Sequence, residues 1–337
     1  MATGYPSGTN TFIPSFEGSG KLTVEFSRNV ADFSINSYMQ IIPVDLNAGY
    51  FLKLDPDEAA RVDADGSGNE FVWPDGAASE YLNTMQEFEF APYATRRLKF
   101  DFALGDLSVQ QASWDVVAAY ARTAASRAMT VRTVKALSIL QDATYMTQTG
   151  TATALGGGKW DVGTTALPYI QNTLQACVEG IETATNGVVQ PKDLILVVSP
   201  NTAHQMAASP EIHDYLKQSP FSMDVIRNNL SLYGLPDNLF GIKVVVENAV
   251  KVTSAKGAAR SAAYALTNTN ALLLARPGGL EGTMGSFSTC QTFMKEEMTV
   301  ESKRDDDGRR TVGRVVEDYD VKVAAPASGY LITACVD

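Results

Sequence analysis

Histidine and cysteine are scarce in this chain. Its 337 residues include two histidines, His204 and His213, and three cysteines, Cys177, Cys290 and Cys335. Two histidines leave little choice of base for a nucleophilic enzyme. Three cysteines far apart in sequence suggest neither a disulfide framework nor a CxxC zinc pattern. No apolar run approaches the roughly 20 residues needed to cross a bilayer, so no membrane is expected. The start, "MATGYPSGTN", has no basic stretch leading into an apolar core, so no signal peptide is expected. Positive charge is also in deficit, with 27 Lys and Arg against 38 Asp and Glu and a formal net charge of -11. Such a chain lacks the overall field of a protein that grips nucleic acid through phosphates. The expectation is a soluble protein made in a reducing cytoplasm.

What is present is ordinary globular composition, 45% hydrophobic and 19% charged, in a chain long enough for one large or two ordinary domains. There is no internal repeat. Residues 1 to about 20 are rich in Gly, Ser, Thr and Asn and read as an extended arm. "KLTVEFS" then alternates like a strand. From about 46 to 105 the strand-like segments "GYFLKL" and "RRLKFDFAL" flank a polar middle, predicting a long two-stranded loop.

From Asp106 to Thr149 there is neither glycine nor proline. The spacing predicts one helix over about 107 to 142. Ser108 and Gln111 stand at capping-box separation at its start, and Trp114, Val117, Ala121, Ala124, Ala128 and Val131 form an apolar stripe. "GTATALGGGKW" reads as a flexible connector. A second helix follows, with Pro168 suited to its first turn and Gly187 to its C-terminal cap. "DLILVVS" is a strand, "SPEIHDYLKQS" a short helix capped by Ser209, and "GIKVVVENAV" and "AAYALTNTNALLLARP" further strands. After "PGGLEG" the pattern is all strand. "QTFMKEEMTVESK" and "RTVGRVVEDYDVKV" are joined at "RDDDG", an Asp-Gly hairpin signal, and "GYLITACVD" closes the chain.

Ser199 with His204 invites a serine hydrolase reading. An elbow nucleophile needs Gly-x-Ser-x-Gly, and Ser199 sits in Val-Val-Ser-Pro-Asn. Ser199 or Asn201 reads better as the cap of the helix that carries His204. "DADGSG" places Asp63, Asp65 and Ser67 at the first, third and fifth positions of a calcium loop, with Gly68 at the sixth. The twelfth position, where a bidentate Glu is needed, is Pro74, so the stretch reads as a solvated turn. "GGGK", Gly156 to Lys159, lacks the spacing of a phosphate loop and reads as a hinge. Arg96, Arg97 and Lys99 form either a charged strand edge or an ion-pair contact with an acidic neighbouring copy. No catalytic, cofactor-binding or metal-binding constellation emerges, and no enzyme is expected.

The order of parts, arm, long loop, spine helix, mixed α/β region and closing strands, resembles the major capsid protein of tailed bacteriophages, with its Hong Kong 97-type α+β fold. "FSRNVADFSINSYMQIIPV" with "GYFLKL" resembles the passage from arm to E-loop. "DLSVQQASWDVVAAYARTAASRAM" stands where that family has its spine helix. "DLILVVSPNTAHQMAASPEIHDYL" with "GIKVVVENAV" resembles its axial domain, and "VEDYDVKVAAPASGYLITACVD" its C-terminal strands. The resemblance implies an N-terminal arm at 1–45, an E-loop at 46–105 and a peripheral domain with the spine helix at 106–165. An axial domain at 166–282 follows, then a β-rich return to both domains at 283–337. It implies a structural subunit assembling as hexamers and pentamers into an icosahedral head. That head would enclose double-stranded DNA without sequence-specific binding, as part of a virion assembled in the host cytoplasm. Its implied partners are a separate scaffolding protein, a portal and cement proteins; no cofactor is implied. Two alternatives stay open: an encapsulin-type compartment shell, and a serine hydrolase using Ser199 and His204.

Overall fold

The computed structural model describes residues 27–54, 75, 88–112, 115–164, 166–218, 233–255, 257–278, 281–282, 285–286 and 288–337. Most of the arm, including "KLTVEF", and the middle of the long loop, with the Asp63–Gly68 turn, lie outside these residues.

The described chain opens with a turn of helix, α1 (Ile35–Tyr38), and β1 (Gln40–Pro43). A ribbon follows, β2 (Ala48–Leu54) and β3 (Phe88–Ala94), then β4 (Arg96–Gly105). Next come α2 (Asp106–Gln111), α3 (Val116–Leu140), β5 (Thr149–Thr151), α4 (Ala152–Gly156) and α5 (Tyr169–Ala184). The mixed region continues with β6 (Leu194–Val198), α6 (Pro200–Ala208), α7 (Pro210–Gln218), β7 (Asn238–Leu239) and β8 (Ile242–Val246). A small hairpin, β9 (Val250–Val252) and β10 (Ala262–Tyr264), precedes β11 (Ala271–Ala275). After the short β12 (Glu281–Gly282) and β13 (Gly285–Ser286), the chain ends in β14 (Cys290–Asp305), β15 (Arg310–Val323) and β16 (Gly329–Thr333).

Two sheets carry the architecture. A six-stranded mixed sheet has the order β5-β16-β11-β6-β8-β7, and a four-stranded sheet the order β1-β14-β15-β4. The apolar runs "LILVV" and "ALLLA" become β6 and β11, adjacent strands buried at every position. Such unbroken runs are what a strand covered on both faces requires. Leu194, Leu196 and Val198 face a core shared with α5, α6 and α7. Ile195 and Val197 face a second core shared with α1, α3 and the four-stranded sheet. Helix α5 ends near the expected place: Gly187 takes φ +73°, and its N–H donates to the Glu182 carbonyl at 2.8 Å. Pro168 is the residue before α5 and not in its first turn. Glu211 of α7, buried, accepts from the Ile170 and Gln171 N–H groups at 2.9 and 2.8 Å, capping α5 from a neighbouring helix.

The spine is shorter than the expected 107 to 142. Asp115 is the N-cap of α3, its carboxylate accepting from Ala118 N–H at 2.9 Å, and α2 is a separate short helix beginning at Asp106 behind Gly105. An aspartate that offers the backbone a local hydrogen bond interrupts a helix without any glycine or proline. The capping-box reading of Ser108 is thereby corrected, and Trp114 lies outside the described residues. Even so, α3 is continuous over 25 residues, about 37 Å long. Its buried side chains include Met129, Arg132, Thr133, Ala136, Leu137 and Leu140; among the described residues of the expected stripe only Ala124 and Ala128 are buried, and Val131 is exposed.

The "GGGK" stretch is not a hinge. Gly156 belongs to α4, and a Cβ there would stand 2.5 Å from the Tyr169 carbonyl oxygen and closer still to the Thr173 hydroxyl. A Cβ on Gly158 would strike the Tyr169 ring. These glycines let α4 lie directly on α5, and Gly157 at φ +87° ends α4. Trp160, fully buried, follows at once, and Lys159 pairs with Asp337 near the last strand.

Proline at position 124, in the buried middle of α3, would remove a helical hydrogen bond and clash with the preceding turn. Ala124→Pro should lower unfolding free energy by about 3 kcal/mol or more, read as a reduced denaturant midpoint. An unchanged midpoint would contradict a continuous α3.

Candidate assembly surface

The ribbon β2–β3 has two distinct faces. In register, Gly49 opposes Tyr93, Tyr50 opposes Pro92, Phe51 opposes Ala91 and Leu52 opposes Phe90. Alternation puts Phe51 and Tyr93 on one face and Tyr50, Leu52, Phe90 and Pro92 on the other. The first face is anchored at home: Phe51 and Tyr93 stack on Phe293 of β14 with centroids 5.0 and 4.8 Å away. The second carries large apolar groups in solvent, with Tyr50 72% and Phe90 65% exposed.

The ribbon's base is held by polar contacts. Ala94 N–H donates to Asp320 Oδ2 at 3.1 Å, Thr95 N–H to the Asn47 carbonyl at 2.7 Å, and Lys295 to the Asn47 side chain. Asp320 also accepts from Lys135 of α3 at 3.3 Å. One carboxylate thus joins ribbon, spine helix and β15. The expected pairing of "GYFLKL" with "RRLKFDFAL" is corrected by the register. The partner of β2 is "FEFAPYA", and "RRLKFDFALG" is β4, paired along its length with β15 in the four-stranded sheet. Leu98, Phe100 and Phe102 of β4 pack against buried groups of α3 and β15, which explains the preference.

As the outer strand of that sheet, β4 carries its cations at an edge. Arg97 pairs with Glu296 of its own chain at 3.3 Å and Lys99 with Asp101 at 3.0 Å, all on partly exposed groups, while Arg96 is exposed. The charged-edge reading of the cluster accounts for these contacts.

Beneath the sheet, Arg132 of α3 pairs with Glu317 of β15; Arg132 is 6% and Glu317 0% exposed. The Arg132 guanidinium carbon lies 5.3 Å, and Lys135 Nζ 5.0 Å, from the centroid of the Tyr319 ring, so two cations approach one aromatic ring. Burial pushes the Glu317 carboxyl above its ordinary range, and the adjacent Arg132 only partly offsets this. Burial likewise raises the Tyr319 phenol. The N-terminal segment is tied down similarly: Tyr38 donates to Glu247 Oε2 at 2.7 Å, both buried, while Glu247 Oε1 accepts from Ala249 N–H at 2.9 Å.

Ser199 and His204 do not form a catalytic pair. Ser199 is buried as the N-cap of α6; its Oγ accepts from Thr202 N–H at 3.1 Å and donates to the Asn268 carbonyl at 3.2 Å. His204 is exposed on the same helix, and His213 is exposed on α7. Ser209 caps α7, accepting from Ile212 N–H at 3.4 Å. All three cysteines are free and buried, the Cys177 and Cys290 thiols pushed up to about 12 by burial and Cys335 higher for the same reason.

No protein-family model matches the chain, and no curated protein matches it. Solved structures do. The capsid of cyanophage P-SCSP1u superposes with a TM-score of 0.61 at 12% identity, over 97% of this chain and 94% of that one. The fold is that of a phage capsid subunit. A phage-related protein from Bordetella bronchiseptica RB50 matches at TM-score 0.60 and 14% identity, over 88% of this chain and 90% of that one. A Mycobacterium phage Che8 structure matches at 0.56 and 15%, over 97% and 99%. With helices and strands in similar measure around two sheets, the α+β, Hong Kong 97-type expectation holds over nearly the whole length. β2–β3 falls within the segment expected as the E-loop, and α3 within that expected as the spine helix.

Removing one partner of the buried pair strands the other. Arg132→Met should cost about 3–5 kcal/mol, whereas Arg132→Met with Glu317→Leu should be near neutral or stabilising. The single variant's defect should shrink in acid. A carboxyl whose folded pKa is raised contributes stability that is fully present below its unfolded value and lost as pH rises through the folded one. Denaturant unfolding of the set at two pH values checks both points. For Ser199→Ala the expectation is a cap loss of about 1 kcal/mol, with particle formation unchanged.

Proposed function

We propose that this chain is a major capsid subunit that self-assembles as hexamers and pentamers into an icosahedral head around packaged double-stranded DNA. The observation that carries the reading is the E-loop base: one face is stacked on Phe293, and the other holds Tyr50, Leu52, Phe90 and Pro92 in solvent. A two-stranded ribbon is marginal on its own, and burying each large apolar side chain is worth about 1.5–3 kcal/mol, against about 0–1 kcal/mol for an exposed ion pair. Contact with a neighbouring copy therefore gains chiefly from the aromatic face. The capsid fold agrees with this role, and the capped, buried Ser199 speaks against the hydrolase alternative.

The domains follow from the same reading. The arm covers 1–45 and the E-loop starts at 46, but its C-terminal limit falls at about residue 95, because β4 belongs to the four-stranded sheet of the peripheral domain. The axial domain holds the six-stranded sheet, and the closing strands divide between the two, β14 and β15 in one sheet and β16 in the other. A scaffolding protein, a portal and cement proteins are the partners such a head implies, with assembly in the host cytoplasm. An encapsulin-type shell would enclose protein cargo instead of DNA, so the contents of native particles separate the two.

Deleting residues 60–85 leaves the Phe293 stack and the Asp320 contact in place. The subunit should fold with its wild-type melting temperature yet form no shells under negative stain. In hydrogen exchange, segment 46–95 of the wild type should be poorly protected in the free subunit and protected in the shell. Equal, strong protection in both states would end the intersubunit role of the loop.

A further inference from the structure

The negative charge of this chain is concentrated in one place. Residues 45–95, the E-loop and its approach, contain eleven acidic and two basic residues, which is most of the chain's excess of -11. The opposite holds farther along: between Glu247 and Glu281 there is no acidic residue, and Lys251, Lys256 and Arg260 fall close together. Within that stretch, Lys251 lies in β9 and Arg260 just before β10 of the β9–β10 hairpin.

The hairpin is a second ribbon with an unpartnered apolar face. Val250 opposes Tyr264 and Val252 opposes Ala262, so these four side chains share one face, and all are exposed. Lys251, opposite Ala263, alternates to the other face and is half-buried, and Arg260, two residues before β10, is exposed. The ribbon's foot is fixed to the body: Ala265 N–H donates to the Ala249 carbonyl at 2.8 Å, and both residues are buried in the core beside α3. Two short ribbons of one chain therefore present matching chemistry. Each has an exposed face of aromatic and aliphatic groups, one within an acidic segment and the other within a basic one.

We infer that β9–β10 is the surface that receives the E-loop of an adjacent copy, the apolar faces closing on each other and the charges setting partner and register. The inference rests on the shell reading and names the acceptor within it. Apolar closure supplies most of the attraction, while the opposed charges steer encounter and disfavour contact between two acidic loops. Nucleic acid is the poorer occupant. It offers no use for a face of Val250, Val252 and Tyr264, and three cations give few phosphate contacts.

The test uses wild-type shells assembled from an equal mixture of nitrogen-14 and nitrogen-15 subunits, treated with a carbodiimide that joins a lysine amine directly to a carboxylate. Mass spectrometry should find mixed-isotope peptides linking Lys251 or Lys256 to a carboxylate of residues 45–95. Linkage of these lysines only to acids elsewhere, or no linkage, overturns the inference. A second arm reverses the charge with Lys251→Glu and Arg260→Glu. The expected result is a folded subunit with unchanged melting temperature, loss of shells, and their return when Asp55→Lys and Asp57→Lys are added. Shells that form normally would place the acceptor elsewhere and leave the shell reading intact; normal shells with less DNA would assign the hairpin to nucleic acid and equally overturn the inference. Failure of the wild-type chain to form shells under any assembly condition would instead defeat the shell reading itself.

Discussion

The pair β6 and β11 is the wall on which everything else leans. Each strand is buried at every residue, and alternate side chains enter two different cores. Leu194, Leu196 and Leu273 serve the helices on one side; Ile195, Val197, Leu272 and Leu274 serve the spine and the four-stranded sheet on the other. A slip of one residue in this register would exchange the two sets, so the register is strongly specified. The two halves of the molecule are consequently not beads on a string. They share a layer of side chains from the same two strands.

The spine helix is joined to its sheet differently, through charge as well as apolar contact. Arg132 and Glu317 are removed from water together, with Tyr319 facing two cations. A buried pair of this kind adds little net stability compared with apolar groups of similar volume, but it penalises any arrangement that separates the partners. Nearby, Asp320 touches Lys135 on the helix and Ala94 at the ribbon's base. The ribbon's direction is thus referred to the helix through one side chain, and the stack on Phe293 fixes which of its faces looks outward.

Much of this order was legible in the sequence because burial left a simple signature. The runs "LILVV" and "ALLLA", the "RDDDG" turn between β14 and β15, and the caps Ser199 and Ser209 all rest on local rules that tertiary contacts reinforced. The failures share a cause as well. Pairing β2 with β4 was plausible from alternation alone, but alternation does not name a partner, and β3 with its "FEFAPYA" was hidden beside a better strand. The α3 stripe differs from the apolar pattern because a hydrophobic pattern cannot include Arg132, which is buried only because Glu317 arrives from nearly two hundred residues away. The glycines at 156–158 suggest looseness in the sequence; their purpose, clearance for Tyr169 and Thr173, exists only once α4 meets α5. Asp320 and Phe293 carry no local mark at all.

The cysteines have a consequence beyond packing. Each sits in an apolar core with its thiol held protonated far above neutrality. Oxidants act on thiolates they can reach, and disulfide exchange needs the same. Folded subunits therefore keep these thiols reduced whether the surroundings are reducing, as in a living cell, or air-saturated. Disulfides of these cysteines therefore do not join folded copies of this chain, and exposure of a thiol to an alkylating probe becomes a direct report that a core has opened.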